Sequence, residues 1–355
     1  MENQNKKLRQ KILLWAGILF AQIILFYIFS KSEWVLYVHQ HFFEYQKYLH
    51  QWFFAWADIS IGDVCYIVLG ILLVFFFFKI FRRKTRFLYL KRLLLFLNVM
   101  YFLYQIFWGL LYFQPPLKYQ LSPEEPTTEE MKALTWKYLE LCKQSRELVQ
   151  EDEHGVFKIP NTHALEVEIL RKQNQLPLIF QSKKGTAILA FKASIFGSLM
   201  SYTGILGYYN PFTAEAQYNK DLPHSYLPFT LAHESAHQLG IAREQEANFI
   251  GYLIGKNSTN VALRHSVNWF VLKSLLNALI DENAKFVENV KQSFNDGMNR
   301  DLMYEKYFFE KHQGALMSFF HLTNDWFLKS NRQEGSITYS YFVDLLVRYE
   351  RNAIK

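Results

Sequence analysis

The residues best able to do chemistry sit together in the pentapeptide His233-Glu234-Ser235-Ala236-His237. Histidines four apart on a helix are rotated by only about 40° from one another, so both imidazoles leave one face and can share a metal ion. Glu234 lies three residues before the second histidine, where its carboxylate reaches a water on that metal. The H-E-x-x-H spacing suits hydrolysis of a peptide bond by zinc-activated water, with Glu234 as general base. Random placement of 11 histidines in 355 residues, with glutamate at ordinary abundance, would produce it roughly 0.02 times. Coincidence therefore explains it poorly.

Two helices are needed to position this set. Pro228 suits the first turn of the helix that carries the histidines, where its missing N–H is not needed. Gly240 ends that helix, and Arg243 to Ile250 reads as a second one with acids in its first turn. A catalytic zinc takes three protein ligands and leaves one position open, and a glutamate on the second helix supplies the third. Glu244 and Glu246 both stand in that turn. Asn248, four residues after Glu244, is placed to hydrogen-bond a ligand. Ala232, Ala236 and Leu239 form a small-residue stripe on the first helix that lets the second come close. Arg243 occupies the third-histidine position of the longer H-E-x-x-H-x-x-G-x-x-H pattern, and a guanidinium that stays protonated binds no zinc.

With Glu244-x-x-Ala247-Asn248 after the histidines, this stretch resembles the gluzincin branch of the zincin metallopeptidases, CAAX prenyl proteases among them. That resemblance implies Glu244 as the third zinc ligand beside His233 and His237, with Glu246 as its rival. The gap between His237 and Glu244 is short for that branch, so the turn at Gly240 to Ala242 must fold the second helix back sharply. The wider run from Tyr208 to Gln217 and from Pro228 to Thr230 also resembles an uncharacterised bacterial family of membrane-anchored zincin-like proteins. This second likeness spans most of the chain and speaks to fold and site more than to substrate.

Charge is unevenly spread. Residues 1–113 hold 13 Lys/Arg against 5 Asp/Glu, whereas residues 114–355 hold 26 against 27. The larger part thus has no basic excess with which to neutralise phosphates, which argues against nucleic acid as a partner. Cys65 and Cys142 are the only cysteines, one in an apolar run and one in a polar helix, so neither a disulfide nor a cysteine zinc site is expected.

Three runs near the N-terminus approach the roughly 20 apolar residues that cross a bilayer: about 12–29, 62–81 and 93–113. Basic residues crowd before the first run and between the second and third, while Lys31 to Ile61 holds only Lys31 and Lys47. The positive-inside rule then puts the N-terminus in the cytoplasm. Three crossings make residues 114–355 extracytoplasmic, and the location expected is the bacterial inner membrane with a periplasmic C-terminal domain. Between the first two runs, Trp34 to Trp56 is rich in aromatics and reads as a helix lying in the interface. His39, His41 and His50 are read there as polar tips rather than a metal site.

The expected fold is α+β: three transmembrane helices, then a mainly helical zincin-like domain with a small sheet beside the active helix. Residues 214–219 read as an edge strand able to grip an extended peptide by strand addition. Tyr339 and Tyr341, after the Gly335 turn, are candidate hydrogen-bond donors to a tetrahedral oxyanion. The function expected is a membrane-anchored zinc peptidase acting on a peptide or protein substrate. The alternative is a zinc-binding receptor or scaffold without turnover, against which Glu234 argues, since a structural site needs no base. A protease with its site inside a transmembrane helix is a further alternative, against which the polar flanks Asp221 to His224 and Arg243 to Glu246 argue.

Overall fold

The computed structural model describes residues 2–177, 180, 183–330 and 338–354. The chain is mostly helical, with two small sheets. Among the described residues, three helices are long and apolar enough to cross a membrane: α1 (Glu2–Phe29), α3 (Ile61–Phe81) and α4 (Arg86–Phe107). Between the first two lies α2 (Glu33–Phe54), started by the Ser32 side chain, which accepts from the Val35 amide. Its composition is two-sided. Trp34, Tyr37, Tyr45, Tyr48 and Trp52 are exposed, while Leu36, His39, Phe43, Gln46, Lys47 and Gln51 are buried.

The third apolar run departs from expectation. Its helix begins at Arg86 rather than Leu93, and it stops at Phe107, where Trp108 breaks the helix at φ −148° and ψ −49°. Gly109–Phe113 continues as a 3-10 turn with Leu110, Leu111 and Tyr112 buried. Hydropathy reports apolarity without saying whether lipid or protein covers it, so these six residues looked like the end of a span.

After the 3-10 turn come α5 (Thr128–Arg146) and α6 (Thr162–Gln173), separated by a two-stranded hairpin, β1 (Gln150–Glu151) and β2 (Phe157–Lys158). Next are β3 (Phe191–Ala193), α7 (Gly197–Thr203), β4 (Gly207–Asn210) and β5 (Glu215–Tyr218). The rest is helical: α8 (Leu227–Gln238), α9 (Glu244–Gly255), α10 (Val261–Leu279), α11 (Ala284–Gln292), α12 (Asp296–His312), α13 (Ala315–Ser330) and α14 (Thr338–Ile354). The main core gathers between α5, α8, α9, α10 and α14 around the fully buried Trp269, Tyr252, Phe249 and Phe342.

The second sheet has the order β3-β5-β4, with β3 parallel and β4 antiparallel to β5. Residues 214–219 are therefore central in the sheet, and the edge-strand expectation is wrong. The Ala-Glu-Ala-Gln-Tyr alternation resembles a half-exposed strand, but Glu215 and Gln217 are both buried. What makes those polar residues tolerable inside is tertiary. The Glu215 carboxylate accepts from the Ile61 and Gly62 amides at 3.2 and 2.6 Å, placing a negative charge on the N-terminus of α3. In return Asp63, on the first turn of α3, accepts from the Ser194 hydroxyl, the Ile195 amide and the Tyr208 hydroxyl.

Further bonds tie α2 to the same sheet. Gln46 and Gln51 donate to the Pro211 and Ala214 carbonyls at the β4–β5 turn, at 3.0 and 3.2 Å. Lys192 on β3 donates to the carbonyls of Ala55 and Ala57. The second span thus begins inside the folded domain rather than on a tether. His39 is buried and bonded to the Ile106 carbonyl at 2.6 Å, not an interfacial tip, whereas His41 is exposed as expected.

Candidate metal centre

Almost all of α8 is buried, because it lies against β5 and β4 on one side and α9 on the other. Gln238 donates to the carbonyls of Ala190 and Ala214, and Gln173 donates to the Ser235 carbonyl, so the helix is fixed in rotation as well as position. Its end is set by Gly240 at φ +78°, the left-handed region that favours glycine. The Ile241 amide bonds back to the Ala236 carbonyl, and the Ile241 carbonyl in turn meets His237 Nδ1 at 2.6 Å. One turn therefore ends the helix and orients a ligand.

A carbonyl only accepts, so in a neutral ring His237 Nδ1 carries the hydrogen and Nε2 is left with a lone pair. His233 Nδ1 lies 2.7 Å from Asn248 Oδ1 and is held the same way from α9. Both Nε2 atoms then point into one space, 3.1 Å apart. Glu244 completes it, with carboxylate oxygens 3.2 Å from His233 Nε2 and 3.7 Å from His237 Nε2. The ligand atoms of His233, His237 and Glu244 all lie within 4.8 Å of one another. Two facing lone pairs beside a carboxylate repel unless a positive charge sits among them. The donor set, two imidazoles and a carboxylate, suits zinc.

Without an ion, a proton on His237 supplies that positive charge. Burial opposes charging His237, yet the Glu244 carboxylate holds its pKa up at about 9. Burial also works against the Glu244 anion, but His237 and His233 keep its pKa well below the usual carboxylate range. Glu246, the rival, is turned away. It accepts from the Leu117 amide at 3.0 Å and from Arg243 at 3.1 Å. Arg243 also donates to the Tyr112 and Gln114 carbonyls, so this pair anchors the chain as it leaves the membrane helices.

Glu234 stands beside the histidines, 4% exposed. Burial raises its pKa to about 7, against the pull of His233 and His237. Its Oε2 has no hydrogen-bond partner among the described residues. The backbone of β4 passes directly over it: a Cβ on Gly207 would fall 2.8 Å from Glu234 Cγ and Oε1. An exchangeable proton near neutrality, on an acid with an open oxygen, is what a general base requires.

The small-residue stripe does allow the second helix to approach. Ala232 and Ala236 are fully buried, and a Cβ on the facing Gly251 would come within 3.1 Å of the His233 amide nitrogen. Gly251→Val should push α9 away from α8, costing about 1–3 kcal/mol as overpacking does. Zinc affinity is expected to fall with stability, because Glu244 and Asn248 ride on the displaced helix. Thermal melts paired with zinc titration check this, and an unchanged affinity would show that the approach does not set the site.

Some site residues were not visible beforehand. The Trp108 ring lies edge-on to His237 at 5.7 Å and against Tyr209 at 4.8 Å. Phe43, Trp108, Leu111, Tyr112, Tyr209 and Ala242 belong to one buried cluster beside His237. These come from α2 and from the end of the third apolar run, where only the Trp-Gly break in a hydrophobic stretch hinted at a change. Of the tyrosines proposed as oxyanion donors, the Tyr339 side chain and Gly335 lie outside the described residues. Tyr341 sits half-buried on α14 and makes none of the described contacts with His233, Glu234, His237 or Glu244.

A family described as protein of unknown function (DUF3810) matches residues 37–347. The chain belongs to the DUF3810 family. No curated protein and no solved structure matches it. The matched region begins within α2 and takes in two of the three apolar helices, so it includes the Phe43 and Trp108 cluster as well as the helices that carry His233, His237 and Glu244.

Proposed function

We propose that this protein is a membrane-anchored zinc peptidase of the gluzincin type. The observation that carries the reading is the convergence of the two histidine Nε2 atoms and the Glu244 carboxylate, with the buried Glu234 beside them, its Oε2 without a hydrogen-bond partner among the described residues. His233, His237 and Glu244 would hold the ion. Zinc at such a site supplies Lewis acidity, polarising a scissile carbonyl and acidifying water. Glu234 takes the proton from attacking water and hands it to the departing amine. Asn248 and the Ile241 carbonyl keep both imidazoles in the tautomer that leaves Nε2 open.

An extended peptide fits best along β4. Tyr208 and Asn210 face β5 in the hydrogen-bonded register, with Leu206 bonded to Asn219, so the backbone groups of Gly207 and Tyr209 point the other way. A strand added there runs past Glu234. The site lies on the side of the bilayer where α3 begins, which the basic residues around α1 and α4 make the extracytoplasmic side of a bacterial inner membrane. A cysteine introduced near Lys256 should react with an impermeant reagent in intact spheroplasts; reaction only after lysis reverses the topology.

The test of the function is metal content and turnover on the full chain purified in detergent. About one zinc per chain and cleavage of unstructured peptides, lost with a chelator and regained with zinc, are expected. Stoichiometric zinc without cleavage of any peptide or membrane-protein substrate would leave the receptor or scaffold reading in its place.

A further inference from the structure

The outward face of α13 is apolar where a surface helix is ordinarily polar. Leu316, Phe319, Leu322 and Trp326 recur at helical spacing and are all exposed, Phe319 by 60% and Trp326 by 65%. The opposite face is the one that packs: Met317 and His321 lie against Gly204, at the end of α7. α7 adds Leu199 and Tyr202, also exposed. Exposed apolar side chains gathered on two helices that pack together mark an interaction site.

Its location in the fold says what covers it. The Ile195 amide donates to Asp63 at 2.8 Å, and Asp63 lies on the first turn of the span α3. α7 starts two residues after Ile195 and is about 10 Å long at 1.5 Å per residue. The surface therefore begins within about one helical turn of the end of a membrane span. β3, which leads into α7, is also bonded through Lys192 to the segment that precedes that span, where Trp56 and Ile59 are exposed. Ile195, between β3 and α7, is exposed as well.

We propose that α7 and α13 form a second membrane-docking surface, seated in the lipid interface on the side where α3 begins, so that the domain is held down at two places. In this arrangement α2 lies on the bilayer at one flank of the sheet and α13 at the other. An amphipathic helix in the interface buries its apolar face about 5–10 Å deep, and Trp and Phe at headgroup level are the residues such a helix uses. The inference concerns how the domain sits on lipid and does not depend on the peptidase reading.

The experiment uses the full chain, with Cys65→Ser and Cys142→Ala, in nanodiscs of phosphatidylethanolamine and phosphatidylglycerol. Nitroxides are placed through Phe319→Cys or Leu322→Cys, with Leu73→Cys on α3 as the lipid reference and Lys285→Cys on α11 as the water reference. Oxygen concentrates in lipid and a nickel chelate stays in water. The oxygen-to-nickel collision ratio at both test positions should exceed that at position 285 by at least about threefold and approach that at 73. A ratio equal to that at 285 overturns the proposal. So does protection from both reagents, which with dipolar broadening identifies a second copy and without it a protein partner. The unmodified chain gives an independent reading: in vesicles containing a diazirine phospholipid, photolabelling should reach residues 315–330. Labelling confined to α1, α2, α3 and α4 would sink the idea.

Discussion

Glu234→Gln should leave zinc content and thermal stability close to those of the parent while slowing peptide hydrolysis by about 10²- to 10⁴-fold, the usual contribution of a general base. Gln has nearly the shape of Glu, and the space around residue 234, bounded by the Gly207 backbone and the histidine rings, admits it without rearrangement. The parent carboxylate is buried, its Oε2 has no partner among the described residues, and its pKa is raised to about 7 by burial. Nothing in the packing of α8 needs a negative charge there. Burial makes one costly, so a purely structural site would gain by losing it. Chromogenic or fluorogenic peptide turnover, measured beside metal content in the same preparation, separates the possibilities. Turnover equal to the parent's removes the base from Glu234. Loss of zinc together with turnover makes Glu234 part of the metal-binding set instead.

The second large effect distinguishes two glutamates only two residues apart. Glu244→Ala should abolish stoichiometric zinc, because it removes the carboxylate that, among the described residues, faces the two Nε2 atoms. Thermal stability without added zinc should fall, because Glu244, held well below the usual carboxylate range by His237 and His233, is the counter-charge of a buried His237 whose pKa it raises to about 9. Glu246→Ala should lose stability but keep zinc. It strands the Leu117 amide and one side of the Arg243 guanidinium, a cost of about 1–3 kcal/mol for each buried group left unpaired. Zinc should still bind the Glu246→Ala chain below its lowered melting temperature. Equal loss of zinc from both variants would mean that the Arg243–Glu246 pair, rather than Glu244 itself, holds the geometry. Metal analysis and calorimetry on both proteins decide it.

The ligand face was legible because its geometry is local. A 3.6-residue period fixes the relative direction of His233 and His237, and a glycine in the left-handed region ends the helix wherever it lies in space. The three apolar helices were legible for a similar reason: length and apolarity are summed along the chain and need no partner. The ends of these elements were not. Leu110 and Tyr112 have the hydropathy of a span, and only the domain packed against them turns them into a wall of the site. Likewise Glu215 and Gln217 alternate as an exposed strand would, and the cost of burying them is met at the start of α3, about 150 residues away in sequence, where Glu215 accepts from the Ile61 and Gly62 amides and Gln217 donates to the Ser60 hydroxyl.

Sequence by itself determined which atoms can bind zinc, that they share a helix face, that a carboxylate stands next to them, and that three helices can enter a bilayer. Each of these depends on neighbours within a few turns. Tertiary structure alone decided that Glu244 faces the histidines while Glu246 faces Arg243, that residues 215–218 are central and β4 forms the edge over Glu234, and that α2 and Trp108 complete the site. Those outcomes turn on which of several equally suitable polar or apolar groups meet, and that choice is made by long-range packing, where a buried carboxylate goes to whichever amide or guanidinium the fold brings within about 3 Å.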